Sequence, residues 1–153
     1  MAKKVSKNND LVSNRKAGFN YEILETYEAG VQLKGTEIKS LRDGGGSLQE
    51  AFIKEENGEL WLYGCSISPY KYGNIHNHDE RRPKKLLLHK REIAALAKSF
   101  HIKGNALIPL AFYLKNGRVK CKVGIGHGKK MHDKRATIKE RDVKRQIQRE
   151  FKQ

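Results

Sequence analysis

The sequence predicts a mainly β protein: an OB-like antiparallel barrel of about six strands, two or three short helices and a basic C-terminal tail. Short alternating or apolar stretches separated by turn residues dominate the 153-residue chain, as expected for antiparallel strands. Helical spacing of apolar residues is confined to short segments. Several short strands around one inserted helix are typical of a small barrel, and a sheet sandwich stays open as an alternative.

The first predicted strands lie within residues 21–33, with a break near Ala29–Gly30. A hairpin comes next, because the turn residues Asn57–Gly58 separate residues 51–53 from the apolar stretch at residues 60–67. We therefore expect residues 60–67 to form one strand that is apolar on both faces for part of its length.

The last two strands are predicted to form a second hairpin. Residues 107–114 form its first strand, and Pro109 within it indicates an edge strand or a bulge. Residues 115–117 (Lys-Asn-Gly) then turn into residues 118–125, where apolar and basic residues alternate strictly. One face of this strand is therefore apolar and the other is a basic ladder. The ladder consists of Arg118, Lys120 and Lys122.

Two helices are predicted. Thr36 can cap a short helix that runs through Leu41 and ends at the glycines of residues 44–46. Apolar residues recur at positions i, i+3, i+4 and i+7 within residues 93–100, and Gly104 follows as a stop signal.

The charge of the chain predicts a polyanionic partner. Lysine and arginine number 32 against 17 acidic residues, which gives a formal net charge of +15. The basic excess is concentrated in residues 1–16, 77–91, 115–130 and 131–153, a distribution that indicates a binding surface. No apolar run approaches the roughly 20 residues of a membrane span, and the basic N-terminus lacks the apolar core of a signal peptide. We therefore expect a cytoplasmic protein without a membrane partner.

The distribution of charge and turn residues divides the chain into three parts. Residues 1–14 are expected to be a flexible basic arm, residues 15–130 the RNA-binding barrel, and residues 131–153 a basic tail. Cys65 and Cys121 lie in apolar or alternating stretches without a CxxC pair, so both are expected to be reduced core residues.

Patterns that would indicate catalysis are weak. The glycine-rich residues 124–130 do not fit a Walker motif, because Val123 and Lys130 stand where glycine and a hydroxyl residue are needed. They do not fit a dinucleotide fingerprint either, because the predicted surroundings are antiparallel strands and not a βαβ unit. His76 and His78 have no third ligand at a characteristic spacing, so we interpret them as part of a solvated loop. The sequence therefore predicts no catalytic residue, no metal and no cofactor.

Aromatic residues beside basic segments indicate a function more clearly than these catalytic patterns do, because their rings can stack on nucleic-acid bases. They favour RNA or single strands as the ligand. These residues are Phe19, Tyr21, Tyr70, Tyr72 and His132.

The tail carries a narrow apolar stripe formed by Val143, Ile147 and Phe151, spaced i, i+4 and i+8 amid basic residues. So little apolar area cannot stabilise an isolated helix, so the tail is predicted to be largely unstructured alone and helical when bound in a negatively charged groove.

Four segments together resemble the SsrA-binding protein family, also called small protein B. They are residues 28–42 (EAGVQLKGTEIKSLR), 82–92 (RPKKLLLHKRE), 128–135 (GKKMHDKR) and 138–142 (IKERD). The resemblance covers nearly the whole chain. The run at residues 44–46 is richer in glycine than is usual in the family.

This resemblance implies an OB-like body that binds the tRNA-like domain of transfer-messenger RNA. It also implies delivery of that RNA to stalled ribosomes in trans-translation, with the tail in the empty message channel and His132 near the decoding centre. The implied partners are transfer-messenger RNA, the ribosome with its small-subunit RNA, and elongation factor Tu through the shared RNA. The family's proteins are not enzymes, and we expect a monomer.

Site residues follow from the family motifs and from the basic and aromatic patterns. By the motifs, Asn14, Glu28 and Leu87 are tied to RNA binding. A carboxylate repels phosphates, so we interpret Glu28 as orienting a base or an arginine, or as accepting from a base or a ribose hydroxyl. The basic and aromatic residues added to this set are Arg15, Lys16, Tyr21, Lys85, Arg118, Lys120, Lys122, Lys129 and Lys130.

A second set is predicted to engage the ribosome. The resemblance implies this role for Gly128, His132, Asp133, Lys134 and Arg135, and the tail adds Lys139, Arg141, Lys144, Arg145 and Ile147. Two other classes stay open at this stage. A structural ribosomal protein or another OB-fold RNA-binding protein would have similar charge, and an RNA-processing nuclease would need a carboxylate or histidine cluster.

Overall fold

The computed structural model describes residues 10–73, 77–129, 139 and 141–149. Nine strands and three short helices form the body in this part of the chain. Their order is β1 (Asp10–Ser13), α1 (Ala17–Asn20), β2 (Tyr21–Val31), α2 (Gly35–Arg42), β3 (Gly46–Ser47), β4 (Phe52–Glu56), β5 (Glu59–Tyr63), β6 (Ser66–Ile67), β7 (Lys84–Leu87), α3 (Lys90–Phe100), β8 (Asn105–Lys115) and β9 (Arg118–Gly128).

Seven of these strands form one antiparallel sheet in the order β1-β8-β9-β2-β7-β5-β4. Strands β3 and β6 pair separately. The sheet curls until Cα atoms of β4 lie within 8 Å of Cα atoms of β8, which gives the OB-like barrel.

The mainly β class and the barrel are confirmed, with a seven-stranded main sheet where about six strands were predicted. Residues 10–13, which the sequence assigned to the flexible arm, form β1 and pair with β8. Residues 84–87 form β7, a strand that local pattern did not indicate.

Strand β2 continues through the position where a break was predicted. Gly30 lies between two neighbouring strands, because it pairs on one side with Lys120 of β9 and on the other with Leu87 of β7. A Cβ at Gly30 would lie 3.3 Å from the Leu87 Cβ, so the absence of a side chain permits the close approach of β7. The irregularity of β2 lies earlier, as a bulge between Ile23 and Glu25.

The two predicted hairpins are confirmed. Asn57–Gly58 and Asn116–Gly117 have positive φ at both positions, as their tight turns require. The single strand predicted at residues 60–67 is wrong, because Gly64 (φ 75°) separates β5 from β6. Pro109 marks a bulge as predicted, since the register of β8 on β9 shifts between Pro109 and Ala111, but β8 lies between two strands and is not an edge.

Helix α2 begins two residues before the position expected from a Thr36 cap. Lys34 is the N-cap residue, and its backbone N–H donates to the Glu37 carboxylate at 2.7 Å. The Thr36 hydroxyl pairs instead with the His78 ring, 2.8 Å away. Helix α3 forms where predicted, and Leu96 on its inner face is fully buried.

The core fills the barrel interior with the inward-facing residues of both hairpins and α3. Cys121, Val123 and Ile125 of β9 are buried, as their alternation predicted. Cys65 and Cys121 are free and buried in this core, and burial raises the pKa of the Cys65 thiol to about 11.

Candidate nucleic-acid interface

The outer face of β2, β8 and β9 carries the basic ladder. Val119, Cys121 and Val123 point inward, so the lysines between them lie on the outer face. Lys120 is half-buried there and Lys122 is exposed. Lys122 pairs across the sheet with Glu28 of β2, and Lys120 with Tyr113 of β8.

Glu28 sits within this basic face as a fixed carboxylate. The Tyr113 hydroxyl donates to Glu28 Oε2 at 2.5 Å, and Lys115 Nζ lies 3.2 Å from Oε1. These hydrogen bonds, with the positive charge of Lys115, hold the pKa of Glu28 below its usual range. Burial and the same carboxylate raise the pKa of the Tyr113 phenol. Glu28 is therefore ionised at neutral pH and holds Tyr113 as a hydrogen-bond donor.

Three shallow grooves meet at Glu28. The first also contains Tyr113, Lys115 and Lys122. The second contains Gly30, Leu87 and Lys120, and the third contains Lys115, Arg118 and Lys120. Leu87, 49% exposed, is the apolar member of this surface. The structure thus brings together Glu28, Leu87, Arg118, Lys120 and Lys122, and we call this set the sheet surface.

A second group of predicted residues surrounds α1, away from those three grooves. Asn14, Lys16 and Tyr21 line a groove between α1 and the start of β4, and Arg15 joins Asn14 and Lys16 in the neighbouring groove. Lys129 belongs here too, because its backbone N–H donates to the Asn20 carbonyl and its Nζ to the Gly18 carbonyl, each at 3.0 Å.

Asn14 is engaged inside the protein. Its Nδ2 donates to the Pro109 carbonyl at 2.9 Å, and its backbone N–H donates to the Leu110 carbonyl at 2.8 Å. Asn14 therefore fixes the β8 bulge and, with it, the path of the chain into the α1 group.

Lys85 lies on the outer face of β7 and forms an ion pair with Glu59 of the adjacent β5. Its neighbour Lys84 points inward and is fully buried. Lys85 lines none of the three grooves around Glu28.

The predicted ribosome-engaging residues are described only in part. Gly128 ends β9 and pairs with Tyr21. Residue 139 and residues 141–149 are helical and exposed, which covers Lys139, Arg141, Lys144, Arg145 and Ile147. The remaining predicted positions lie outside the described residues; they are Lys130, His132, Asp133, Lys134 and Arg135.

Sequence reasoning missed the partners of Glu28 and a buried ionic cluster. Only the alignment of β2 with the β8–β9 hairpin brings Tyr113 and Lys115 to Glu28, and no local pattern reports that alignment. The ionic cluster contains Glu37 and Lys84, both fully buried, and the partly buried Arg82. Its one local signal was Glu37 at the third position after Lys34, the spacing of a capping box.

The solvated-loop interpretation is wrong for His78, which is buried. Its Nε2 lies 2.9 Å from the Ile67 carbonyl, so this nitrogen donates, and Nδ1 meets the Thr36 hydroxyl. His76 lies outside the described residues. Within the described ranges, no group of three or more residues is arranged to hold a metal ion, and no helix is long and apolar enough to cross a membrane.

Comparison with known proteins gives consistent matches. The family described as SmpB protein matches residues 11–153. An SsrA-binding protein of Protochlamydia amoebophila is 58% identical over 147 residues, covering 96% of each chain. An SsrA-binding protein of Aquifex aeolicus is 50% identical, covering 93% of this chain and 91% of the relative.

A solved structure described as "tmRNA-SmpB: a journey to the center of the bacterial ribosome" contains a chain with the same fold. It is 48% identical with a TM-score of 0.67, and the match covers 78% of this chain and 84% of that one.

Proposed function

Because this chain belongs to the SmpB family, we propose that it binds the tRNA-like domain of transfer-messenger RNA and delivers this RNA to stalled ribosomes in trans-translation. The observation that carries the proposal at the level of residues is the meeting of three grooves at Glu28, with Leu87 and Lys120 beside it.

The sheet surface suits folded RNA, which proteins recognise by shape, backbone phosphates and ribose hydroxyls. Arg118, Lys120 and Lys122 supply cations for phosphates. Leu87 supplies an exposed apolar contact for a base or a ribose. A surface of this kind positions an RNA helix without reading a long sequence.

Glu28 has a specific part in this surface. A carboxylate offers about four acceptor sites, and Tyr113 and Lys115 occupy only some of them. The remaining sites accept from a base amino group or a ribose hydroxyl. Held ionised by these neighbours, Glu28 offers such an acceptor at neutral pH while Lys115 offsets its repulsion of phosphates.

The α1 group forms the second part of the proposed RNA site. Arg15, Lys16 and Lys129 supply charge there, and Tyr21 supplies a half-buried ring. Asn14 contributes by fixing the β8 bulge, since its side-chain amide and its backbone N–H both donate to β8.

The tail is proposed to engage the ribosome by entering the message channel left empty by a truncated message, with His132 near the decoding centre. The helix at residues 141–149 supports this role, because Val143 is 54% and Ile147 45% exposed. An apolar stripe flanked by Arg141, Lys144 and Arg145 suits a channel walled by RNA.

The proposed role is that of a carrier and not of an enzyme. The match to the SmpB family supports this part of the proposal. The chain works as a monomer in the cytoplasm, where it meets the ribosome and, through the shared RNA, elongation factor Tu.

Identification of the co-purifying RNA tests the proposal. We expect transfer-messenger RNA to dominate the RNA sequenced from the intact, natively purified protein. Ribosomal RNA without transfer-messenger RNA would indicate a structural ribosomal protein instead. A filter-binding assay gives the residue-level test. Replacing both Lys120 and Lys122 by Ala should weaken binding to the isolated tRNA-like domain, whereas Lys103→Ala removes an exposed lysine outside the grooves and should not.

A further inference from the structure

An exposed cluster of rings and lysines lies on the segment that follows β6, apart from both proposed RNA surfaces. The Tyr70 and Tyr72 rings meet edge to face, with centroids 5.7 Å apart. Lys39 of α2 lies 5.7 Å from the Tyr70 centroid, and Lys71 lies 5.7 Å from that of Tyr72. Tyr72 is 75% exposed, the largest exposure among the large hydrophobic side chains in the described part of the chain.

The protein holds the backbone beneath these rings in place. The Asn77 side chain accepts from the Tyr70 N–H at 3.1 Å and donates to the Tyr70 carbonyl at 2.9 Å. The Gly73 N–H donates to the same carbonyl at 2.9 Å, which closes a turn around Tyr72. Asn77 and Gly73, which bind the backbone of Tyr70, therefore also fix the backbone at Tyr72.

Partly buried polar contacts attach both ends of this segment to α2. On the N-terminal side, the Ser40 hydroxyl donates to the Ser68 carbonyl at 2.6 Å. On the C-terminal side, the buried His78 ring meets Thr36 at 2.8 Å, and Arg82 meets Glu37 at 2.6 Å. An exposed aromatic side chain on so firmly held a backbone loses little entropy when it binds a partner.

A second pair of rings in the protein differs, because each of its rings is covered by the other. Phe52 and Tyr63 stack across β4 and β5 with centroids 5.6 Å apart, and Lys54 lies within 5.9 Å of both. The Tyr63 hydroxyl donates to Glu56 at 2.6 Å. These rings stack on each other, whereas Tyr70 and Tyr72 meet only edge to face and leave the Tyr72 ring open.

We propose that Tyr72, supported by Tyr70, Lys39 and Lys71, is a stacking site for an unpaired nucleobase of a bound RNA. An aromatic face binds any base by stacking, and a nearby lysine binds the adjoining phosphate. Lysines on both sides of the rings favour RNA over an apolar protein surface. This proposal rests on the proposed function only in taking RNA as the ligand. The base that stacks on Tyr72 belongs either to the tRNA-like domain or to ribosomal RNA.

Equilibrium binding of the full-length protein tests the site with three probes. These are the tRNA-like domain, intact ribosomes and protein-free small-subunit ribosomal RNA. We expect Tyr72→Leu to weaken binding to at least one of the two free RNAs about tenfold, equivalent to ~1.4 kcal/mol and within the range of one stacked base. The RNA that responds identifies the source of the base.

Two variants serve as controls. Tyr72→Phe keeps the ring and should bind within about twofold of the wild type. Ile102→Ala truncates another exposed side chain, which lines none of the grooves described above, and should also stay within about twofold. Because Tyr72 and Ile102 are both exposed, all three variants should melt close to the wild-type temperature.

Two outcomes would overturn the site: no loss for Tyr72→Leu on either free RNA, or an equal loss for Tyr72→Phe. A loss seen on ribosomes but on neither free RNA would assign the cluster to a ribosomal protein. Failure of the proposed function is a separate outcome, because it appears as weak binding of the wild type to the tRNA-like domain. The ribosomal RNA arm then still decides the stacking site.

Discussion

Replacement of Arg82 by methionine should destabilise the protein through the buried carboxylate of Glu37. The Glu37 side chain is fully buried and has two cationic partners, Arg82 at 2.6 Å and Lys84 at 3.9 Å. Arg82 also donates to the carbonyls of Gln32 and Pro83 at 3.1 Å each. The methionine side chain would keep the packing volume of the arginine stem but would remove all of these donors.

The structure sets the size of this loss. Removing one partner of a buried ion pair typically costs ~3–5 kcal/mol, because the remaining charge is left buried without compensation. Arg82 is 25% exposed and Lys84 remains close to the carboxylate, so we expect a loss below this range, ~2–3 kcal/mol. At ~2–4 °C per kcal/mol for a chain of this length, the melting temperature should fall by ~4–12 °C.

The loss should also depend on pH. Burial raises the pKa of Glu37, but hydrogen bonds from Arg82 and the Lys34 N–H outweigh it, so the folded pKa lies below the ordinary value of 4.5. This contribution to stability is present above pH 4.5 and disappears as the pH falls through the folded pKa. In the variant the Arg82 hydrogen bonds and charge are gone, so the pKa of Glu37 should lie above its wild-type position. The stability difference from wild type should therefore be largest at neutral pH and shrink in acid.

Thermal and urea unfolding at pH 7 and pH 4 measure both effects. Lys85→Met is the matched control, since it removes a lysine from the partly exposed pair with Glu59 and should cost at most ~1 kcal/mol. The reasoning is refuted if Arg82→Met loses no more stability than Lys85→Met, or if its loss is the same at both pH values.

Three further predictions concern RNA and ribosomes. Glu28→Ala should weaken binding to the tRNA-like domain more than Glu55→Ala in a gel shift, although both remove one negative charge; equal shifts would make Glu28 a mere surface charge. Protein truncated after Lys130 should retain that binding, and loss of nearly all affinity would move the RNA site to the tail. Ile147→Pro should leave RNA binding intact while sharply reducing peptide tagging in a reconstituted assay, because proline interrupts the helix. Tagging at the normal rate would contradict a tail that acts as a helix, and an isolated tail peptide already helical by circular dichroism would contradict a tail that folds on binding.

Local patterns predicted the elements whose causes are local. The strand at residues 118–125, both Asn-Gly turns and α3 follow from alternation, positive φ and helical spacing. The Thr36 cap was wrong because a tertiary partner, His78, takes that hydroxyl. Similarly, Gly30 resembled a strand break, and only the approach of Leu87 from a distant strand explains why β2 continues through it.

The residues of the candidate site were proposed from the sequence, but their arrangement was not. The alternation in β9 pointed to Lys120 and Lys122, and the family resemblance pointed to Glu28 and Leu87. No local pattern places these residues on one surface, because that depends on β2 lying between β9 and β7. Local pattern also does not show which lysine is buried. Lys84 and Lys85 are adjacent and identical in type, yet they lie on opposite faces of β7 and only Lys84 is buried.

The net charge of +15 therefore overstates the surface available to RNA, and the salt dependence of binding should reveal the difference. Arg82 neutralises an internal carboxylate, whereas Lys120 and Lys122 are free of such an ion pair among the described residues. Each phosphate contact contributes ~0.7–0.9 to the slope of log affinity against log salt. Lys122→Ala should thus reduce that slope by about one contact. Arg82→Met, measured well below its melting temperature, should leave the slope unchanged despite removing the same charge, and equal reductions would show that total charge, not its placement, governs RNA binding.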